Sequence, residues 1–179
     1  MTILLTNCSI ASATGGVAIR NAYSEVIINR LDVSNSTIIT LLETMNSGFS
    51  RVDNLVVTSS SMTAVTLTTS KGQLDIRSSM IFDNVEISDM LISQDNGTLM
   101  IIDSLEILNN TRNPEAWNGV FVNSSSTAMI TNSHFEGNSN MESAVTSSVF
   151  GETTITDTKI SSNIGVSLCL SDILVPHIS

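Results

Sequence analysis

The sequence predicts an all-β solenoid, a parallel β-helix, and three observations carry that expectation. Of its 179 residues, 29 are Ser, 20 Thr and 17 Asn, while apolar residues reach 41% and charged residues only 13%. Short hydroxyls and β-branched aliphatics favour strands, and Asn favours turns. A bulky apolar residue recurs about every 25 positions with polar and apolar columns in step around it. No amphipathic helical pattern separates the repeats. A repeat too short to bury its own apolar face must stack on its neighbours, which makes a solenoid.

The repeat is read through its anchors, Ile10, Val33, Val57, Phe82, Ile107, Phe135 and Ile160, at spacings of 23, 24, 25, 25, 28 and 25. Five residues before each stand Leu5, Ile28, Val52, Arg77, Ile102, Ile130 and Ile155, and two before stand Cys8, Leu31, Leu55, Met80, Leu105, Ser133 and Thr158. Three before, the column is polar throughout: Asn7, Arg30, Asn54, Ser79, Ser104, Asn132 and Asp157. Apolar i, i+2 pairs with polar residues between have the period of a half-buried strand. A second alternation follows each anchor, at Val17/Ile19, Ile39/Leu41, Val65/Leu67, Met90/Ile92, Val120/Val122, Val145 and Val166/Leu168.

Turn residues recur in the same frame. Gly48, Gly72, Gly97 and Gly151 precede their anchors by nine or ten positions and are read as corners with positive φ. Asn110, Asn138 and Asn163, with Ser36 and Ser60, lie three residues past an anchor and mark a second corner. An antiparallel sandwich also has short strands and frequent turns, but it has no reason to repeat its core every 25 residues. The expectation is one domain, 1–179, of about seven coils. At about 4.8 Å per coil the rod is about 29 Å long.

Charge and hydropathy exclude other classes. Seventeen acids against seven bases give a net charge of −10, which repels phosphate backbones and anionic lipid, and seven dispersed cations form no basic stripe. No apolar run approaches the roughly 18 residues of a spanning helix, and Met1–Leu5 lacks the features of a signal peptide. Cys8 and Cys169 stand in the first and seventh coils, too far apart to bridge within one chain. Cys8 is read as a small core residue. The repeat begins by Ile3, and Ile173-Leu174-Val175-Pro176 is apolar without a capping helix. The chain is therefore expected to be part of a longer protein or assembly, or to pair its ends with other copies.

The stretch Ile130-Thr131-Asn132-Ser133-His134-Phe135-Glu136-Gly137-Asn138 resembles the repeat of polymorphic outer membrane proteins, with its Phe-x-x-Asn corner. Gly15-Gly16-Val17-Ala18-Ile19 is an altered form of that family's second hallmark, and Ile107-Leu108-Asn109-Asn110 and Ile160-Ser161-Ser162-Asn163 are relaxed forms of the first. More broadly the chain resembles right-handed parallel β-helix proteins of the pectate-lyase-like superfamily over nearly its full length. The resemblance implies right-handed winding and an extracellular or cell-surface setting. It does not choose among lyases, hydrolases, epimerases, adhesins and structural rods.

For catalysis the sharpest cluster is Glu106, His134 and Lys159, one residue before three successive anchors, with Glu136 two positions beyond His134 on the same outward side. An acid, an imidazole and an ammonium about 5 Å apart have the groups for proton transfer; the plainer reading is a surface ion-pair ladder. Two carboxylate pairs, Asp83/Glu136 and Asp53/Asp103, share columns with one coil between, about 10 Å apart, near the upper limit for a glycosidase pair. No calcium loop motif occurs, so no cofactor is expected, calcium being the one ion that abundant oxygen ligands would suit. His134 and His177 are too isolated for zinc, and Thr66-Leu67-Thr68 does not extend into an ice-binding ladder.

The 28-residue step holds an insertion, 111–119, with Arg112, Trp117 and Asn118. An exposed Trp there would stack on a sugar face; otherwise Trp117 covers the coil's edge. Five N-x-Ser/Thr sequons, at Asn7, Asn35, Asn96, Asn109 and Asn123, match the number expected by chance from the composition. The sequence is thus read as a non-catalytic surface rod with a structural, adhesive or carbohydrate-contacting role. A carbohydrate-active enzyme, or a remnant of one, is the alternative. Glycans and other copies of the chain are the expected partners.

Overall fold

The computed structural model describes residues 1–69, 71–83, 85–87, 90–95, 99–112, 120–124, 127–139, 143–147, 152–164 and 169–170. Among them there is no helix. The first three repeats each contribute two long strands: β1 (Thr2–Ala11) and β2 (Thr14–Ala22), β3 (Glu25–Ser34) and β4 (Thr37–Met45), β5 (Phe49–Thr58) and β6 (Ser61–Thr69). The fourth contributes β7 (Gln73–Phe82), β8 (Val85–Ile87) and β9 (Met90–Asp95), and the fifth β10 (Leu99–Leu108), β11 (Thr111–Arg112) and β12 (Val120–Ser124). The sixth holds β13 (Thr127–Thr131), β14 (His134–Glu136) and β15 (Ser143–Ser147), and the seventh β16 (Thr153–Thr156), β17 (Lys159–Ser161) and β18 (Cys169–Leu170).

All pairings are parallel and join one repeat to the next. One sheet runs β1-β3-β5-β7-β10-β13-β16, with β14 and β17 continuing it; the other carries β2-β4-β6-β9-β12-β15-β18. This is a parallel β-solenoid. The first sheet has seven rungs, and counted as complete turns the described residues give about five, each of roughly 24 residues.

The core lies between the sheets as stacked columns of like residues. Leu5, Ile28, Val52, Ile76, Ile102, Ile130 and Ile155 form one. Ile10, Val33, Val57, Ile81, Ile107, Phe135 and Ile160 form another. Fully burying one such side chain is worth about 1.5–3 kcal/mol, and here the burial comes from the rungs above and below.

The fourth rung corrects the sequence reading by one residue. Ile81, not Phe82, pairs with Val57 and Ile107, so Ile76, Ser78 and Ser79 take the places expected for Arg77, Ser79 and Met80. Two bulky apolar neighbours, Ile81 and Phe82, compete for the anchor in the sequence, and backbone pairing settles it. Ile81 is fully buried while Phe82 faces outward beside Thr58 and Leu108. The correction leaves the Leu5–Ile155 column apolar in every rung.

The polar column is where the long strands bend. Asn7, Arg30, Asn54, Ser78, Ser104, Asn132 and Asp157 all have positive φ, between 47 and 65°. One left-handed residue makes the spacing between inward positions three instead of two, as from Leu5 to Cys8, and turns the strand into two flat faces. Asn, Asp and Ser suit this position because a short polar side chain bonds locally and lessens the steric penalty.

The second corner differs slightly from expectation. The positive-φ residues are Ser12, Asn35, Ser59, Asp83, Asn109, Gly137 and Ser162; Asn35, Ser59, Asn109, Gly137 and Ser162 stand one position before the expected Ser36, Ser60, Asn110, Asn138 and Asn163. Gly137 takes without strain the positive φ that Ser, Asn and Asp take in the other rungs, and a Cβ there would press on the end of the Asn109 side chain. The next residue points inward. Asn138 donates from Nδ2 to Ile107 O at 2.9 Å and to Asn163 Oδ1 at 2.9 Å, and its Oδ1 accepts from Asn110 N at 2.8 Å. Asn110 and Asn163 donate likewise to Ile81 O and Phe135 O. Ser36 and Ser60 form the shorter version, accepting from Ala13 N and Ser36 N.

In the second sheet Ile19, Leu42, Thr66, Ile92, Val122 and Val145 share a column. Leu41 and Val65 are buried as expected, whereas Ile39 is 58% exposed. Thr66 Oγ1 is buried without a hydrogen-bond partner among the described residues. At the corner before β5 the positive φ belongs to Asn46 and Ser47, not Gly48. Gly48 is needed for space, as a Cβ would come 3.0 Å from Met45 O. Gly97 and Gly151 lie outside the described residues. Cys8 is a free thiol against the core, and Cys169 is placed only by its backbone in β18, the seventh repeat.

Candidate functional site

Titratable groups gather on the outward side of the first sheet, in two clusters divided by the left-handed bends. Before the bend, outward positions two apart on each strand carry Arg51 and Asp53 on β5, then Asp75 and Arg77 on β7. Register sets Asp75 beside Arg51, and Arg77 between Asp53 and Asp103. Opposite charges therefore adjoin both along and across the strands.

The Arg77 guanidinium grips Asp75 with Nε at 2.8 Å and Nη2 at 2.9 Å, a two-point fork, and Arg51 Nε reaches Asp53 Oδ2 at 2.9 Å. The Asp75 hydrogen bond and charge hold Arg77 more firmly protonated than a free arginine, with Asp53 and Asp103 adding to the effect. Asp103 accepts from Asn132 Nδ2 and Thr131 Oγ1, both at 2.9 Å. Those two bonds pull its pKa below the usual aspartate value.

The expected pair Asp53/Asp103 is thus separated by one rung, about 9.6 Å at two strand spacings, but the rung between holds Arg77. A general acid needs a raised pKa and a glycosidase pair needs open space for water and substrate. Here one carboxyl is held lower and a cation occupies the gap. Asp83 and Glu136 do not share a column: Glu136 lines up with Leu108 and Phe82, and Asp83 sits at the left-handed corner.

After the bend, register brings together the other predicted cluster. Glu106 pairs with His134, and His134 with Lys159. Lys159 Nζ donates to Glu136 Oε2 at 3.3 Å. His134 Nε2 lies 2.8 Å from the same oxygen, out of line for a hydrogen bond. The Lys159 hydrogen bond leads in lowering the Glu136 pKa, so this carboxyl is kept ionised. The four groups stand on a solvent-facing wall. Among the described residues no cluster of His, Cys, Asp and Glu is suited to a metal ion.

A shallow groove of about 330 Å³ runs across the second corner, lined by Asn35, Ser36, Thr37, Ser59, Ser60, Ser61 and Asp83. Hydroxyls repeat in it from one rung to the next because the same corner repeats, and Asn35 adds one amide and Asp83 one carboxyl. The corner is legible in the sequence; the signal for the groove is Asn35-Ser36-Thr37 and Ser59-Ser60-Ser61 at equal distances past Val33 and Val57. The Arg51/Asp53 and Asp75/Arg77 pairs were likewise visible as opposite charges at i, i+2. Trp117, Asn118 and His177 lie outside the described residues; Arg112 ends β11, and its side chain also lies outside them.

No helix among the described residues is long and apolar enough to cross a membrane. The comparison with protein-family models and the comparison with curated proteins each return no match.

Proposed function

We propose that the chain is a non-catalytic β-solenoid rod of an extracellular or cell-surface protein, presenting its outward walls as a structural, adhesive or carbohydrate-contacting surface. One observation carries the reading: the carboxyls Asp53, Asp75 and Glu136 on the first sheet's outer wall are each engaged by a cation of the same or an adjoining rung. Groups that neutralise one another stiffen a wall and are poorly placed to exchange protons with a substrate. The corner groove, with its repeated hydroxyls, the Asn35 amide and the Asp83 carboxyl, suits hydrogen bonding to a neutral glycan. The likeness of Ile130–Asn138 to polymorphic outer membrane repeats, and of the whole pattern to right-handed pectate-lyase-like β-helices, supports the surface setting.

The enzyme reading has one observation in its favour, the contact of His134 with Glu136 between Glu106 and Lys159. A glycan array probed with the purified chain, run beside reducing-end and unsaturated-product assays on the glycans retained, separates the two. Retention without cleavage, weakened by Asp83→Ala and unaffected by His134→Ala, is the expected result. Cleavage that His134→Ala or Glu136→Gln abolishes would overturn the reading, as would an array that retains nothing for its carbohydrate-contacting form.

A further inference from the structure

Where the outer wall of the first sheet pairs its charges, the second corner leaves its polar groups unused. Asn35, Ser59 and Asp83 take φ values of 48, 48 and 49° on successive rungs, so equivalent side chains recur about every 4.8 Å along the solenoid axis. Ser59 N donates to Asp83 O at 3.2 Å, which holds one corner over the next. The side chains of Asn35, Thr37 and Asp83 are exposed, line the groove and have no hydrogen-bond or ionic partner among the described residues. Asp83 is the one ionised group among the lining residues. Beside the groove the outer wall turns apolar. Val56, Met80, Phe82 and Leu108 occupy outward positions of three adjoining rungs, all half-buried. Asp32 and Ser34 flank them on one side, Glu106 and Glu136 on the other. Phe82 directly precedes Asp83, so this strip runs into the groove.

We propose that groove and strip form one binding site for a neutral glycan chain lying along the solenoid axis, with Asp83 as the residue that rejects acidic sugars. The inference rests on the carbohydrate-contacting reading above and adds to it an apolar face, a direction and a selectivity. A pyranose carries hydroxyls around its rim and C–H groups on its faces. The rim meets the unused amide, hydroxyl and carboxyl of the corner, and a C–H face meets the strip, where Phe82 supplies an aromatic ring. The rung spacing is close to the length of one sugar unit, so successive units meet equivalent corners. A groove of about 330 Å³ lies at the small end of ligand sites, about 300–1,000 Å³, and suits a short run of such units. A uronate would bring its carboxylate against Asp83, with no cation among the lining residues to offset the repulsion. The net charge of −10 opposes it at longer range.

The test is an array of neutral hexose oligosaccharides and oligouronates of matched length. It is probed with the full chain and with Asn35→Gly, Phe82→Leu, Phe82→Tyr and Asp83→Asn, each checked by circular dichroism. Glycine adopts the positive φ of position 35 freely, and asparagine tolerates that of position 83, so both corners form. The unaltered chain should retain neutral oligosaccharides and no oligouronate. Asn35→Gly and Phe82→Leu should each weaken retention about tenfold, Phe82→Tyr should keep it, and Asp83→Asn should admit the oligouronates. Should Phe82→Leu not fold, Val56→Thr breaks the same strip and should weaken retention likewise. An array with nothing retained overturns the carbohydrate-contacting reading and this inference together. Oligouronates retained by the unaltered chain, or neutral chains retained regardless of Asn35→Gly and the strip variants, overturn this inference alone.

Discussion

Asn138→Ala removes the centre of the asparagine ladder, and its effect is set by what it strands. Asn138 is fully buried. Its amide accepts from Asn110 N and Asn110 Nδ2, at 2.8 and 3.1 Å, and donates to Ile107 O and Asn163 Oδ1, both at 2.9 Å. Alanine leaves two backbone groups, Asn110 N–H and Ile107 C=O, without these partners. Each stranded buried group costs about 1–3 kcal/mol, so the expected loss for the two is about 2–6 kcal/mol. Against the stability of a typical domain, about 5–15 kcal/mol, that is a large share. The assay is urea denaturation followed by far-ultraviolet circular dichroism. Asn163→Ala, one rung outward where the site is half-buried, should cost about half as much, since water replaces part of what is lost. A loss below about 1 kcal/mol for Asn138→Ala, or equal losses at both sites, refutes the argument that inward Asn side chains tie the rungs together.

Three further outcomes follow from the same geometry. Ile81→Ala should cost about 2–5 kcal/mol and Phe82→Ala about 1 kcal/mol; the reverse order in thermal melts would restore the Phe82 register. Thr66→Val, which replaces a partnerless buried hydroxyl with a methyl of similar shape, should raise stability by about 1 kcal/mol, and a lower denaturation midpoint would contradict it. Asp103 titrates below its unfolded value, so its contribution is present above about pH 4 and disappears as pH falls through the lower folded value. Asp103→Asn should therefore flatten the acid limb of a stability–pH curve, and an unchanged acid limb would show that the Asn132 and Thr131 bonds do not act through the charge.

The repeat was legible because stacking makes every rung solve one packing problem, so the solution recurs in the sequence. The Glu106–His134–Lys159 column could be aligned without coordinates, and so could the Leu5–Ile155 column except at its fourth rung, where Ile76 stands in place of Arg77. Reading failed where two side chains were equally apolar, as at Ile81 and Phe82, or where conformation and identity separate. The sequence marks Asn138 as a corner, but Gly137 takes the positive φ while Asn138 turns inward to bond other rungs. At Gly48 the requirement proved to be space beneath Met45 O, which composition does not reveal.

By itself the sequence determined the all-β class, the parallel stacking and a period of about 25 residues, because these depend on residue type and spacing alone. Only the tertiary structure decided the meaning of the charges. Asp53 and Asp103 are 50 residues apart and look like a carboxylate pair at a usable distance. The rung between them places Arg77 in the gap, and Asn132 with Thr131 holds Asp103 ionised. Electrostatic role depends on neighbours a few ångströms away, and in a solenoid half of those neighbours belong to other turns.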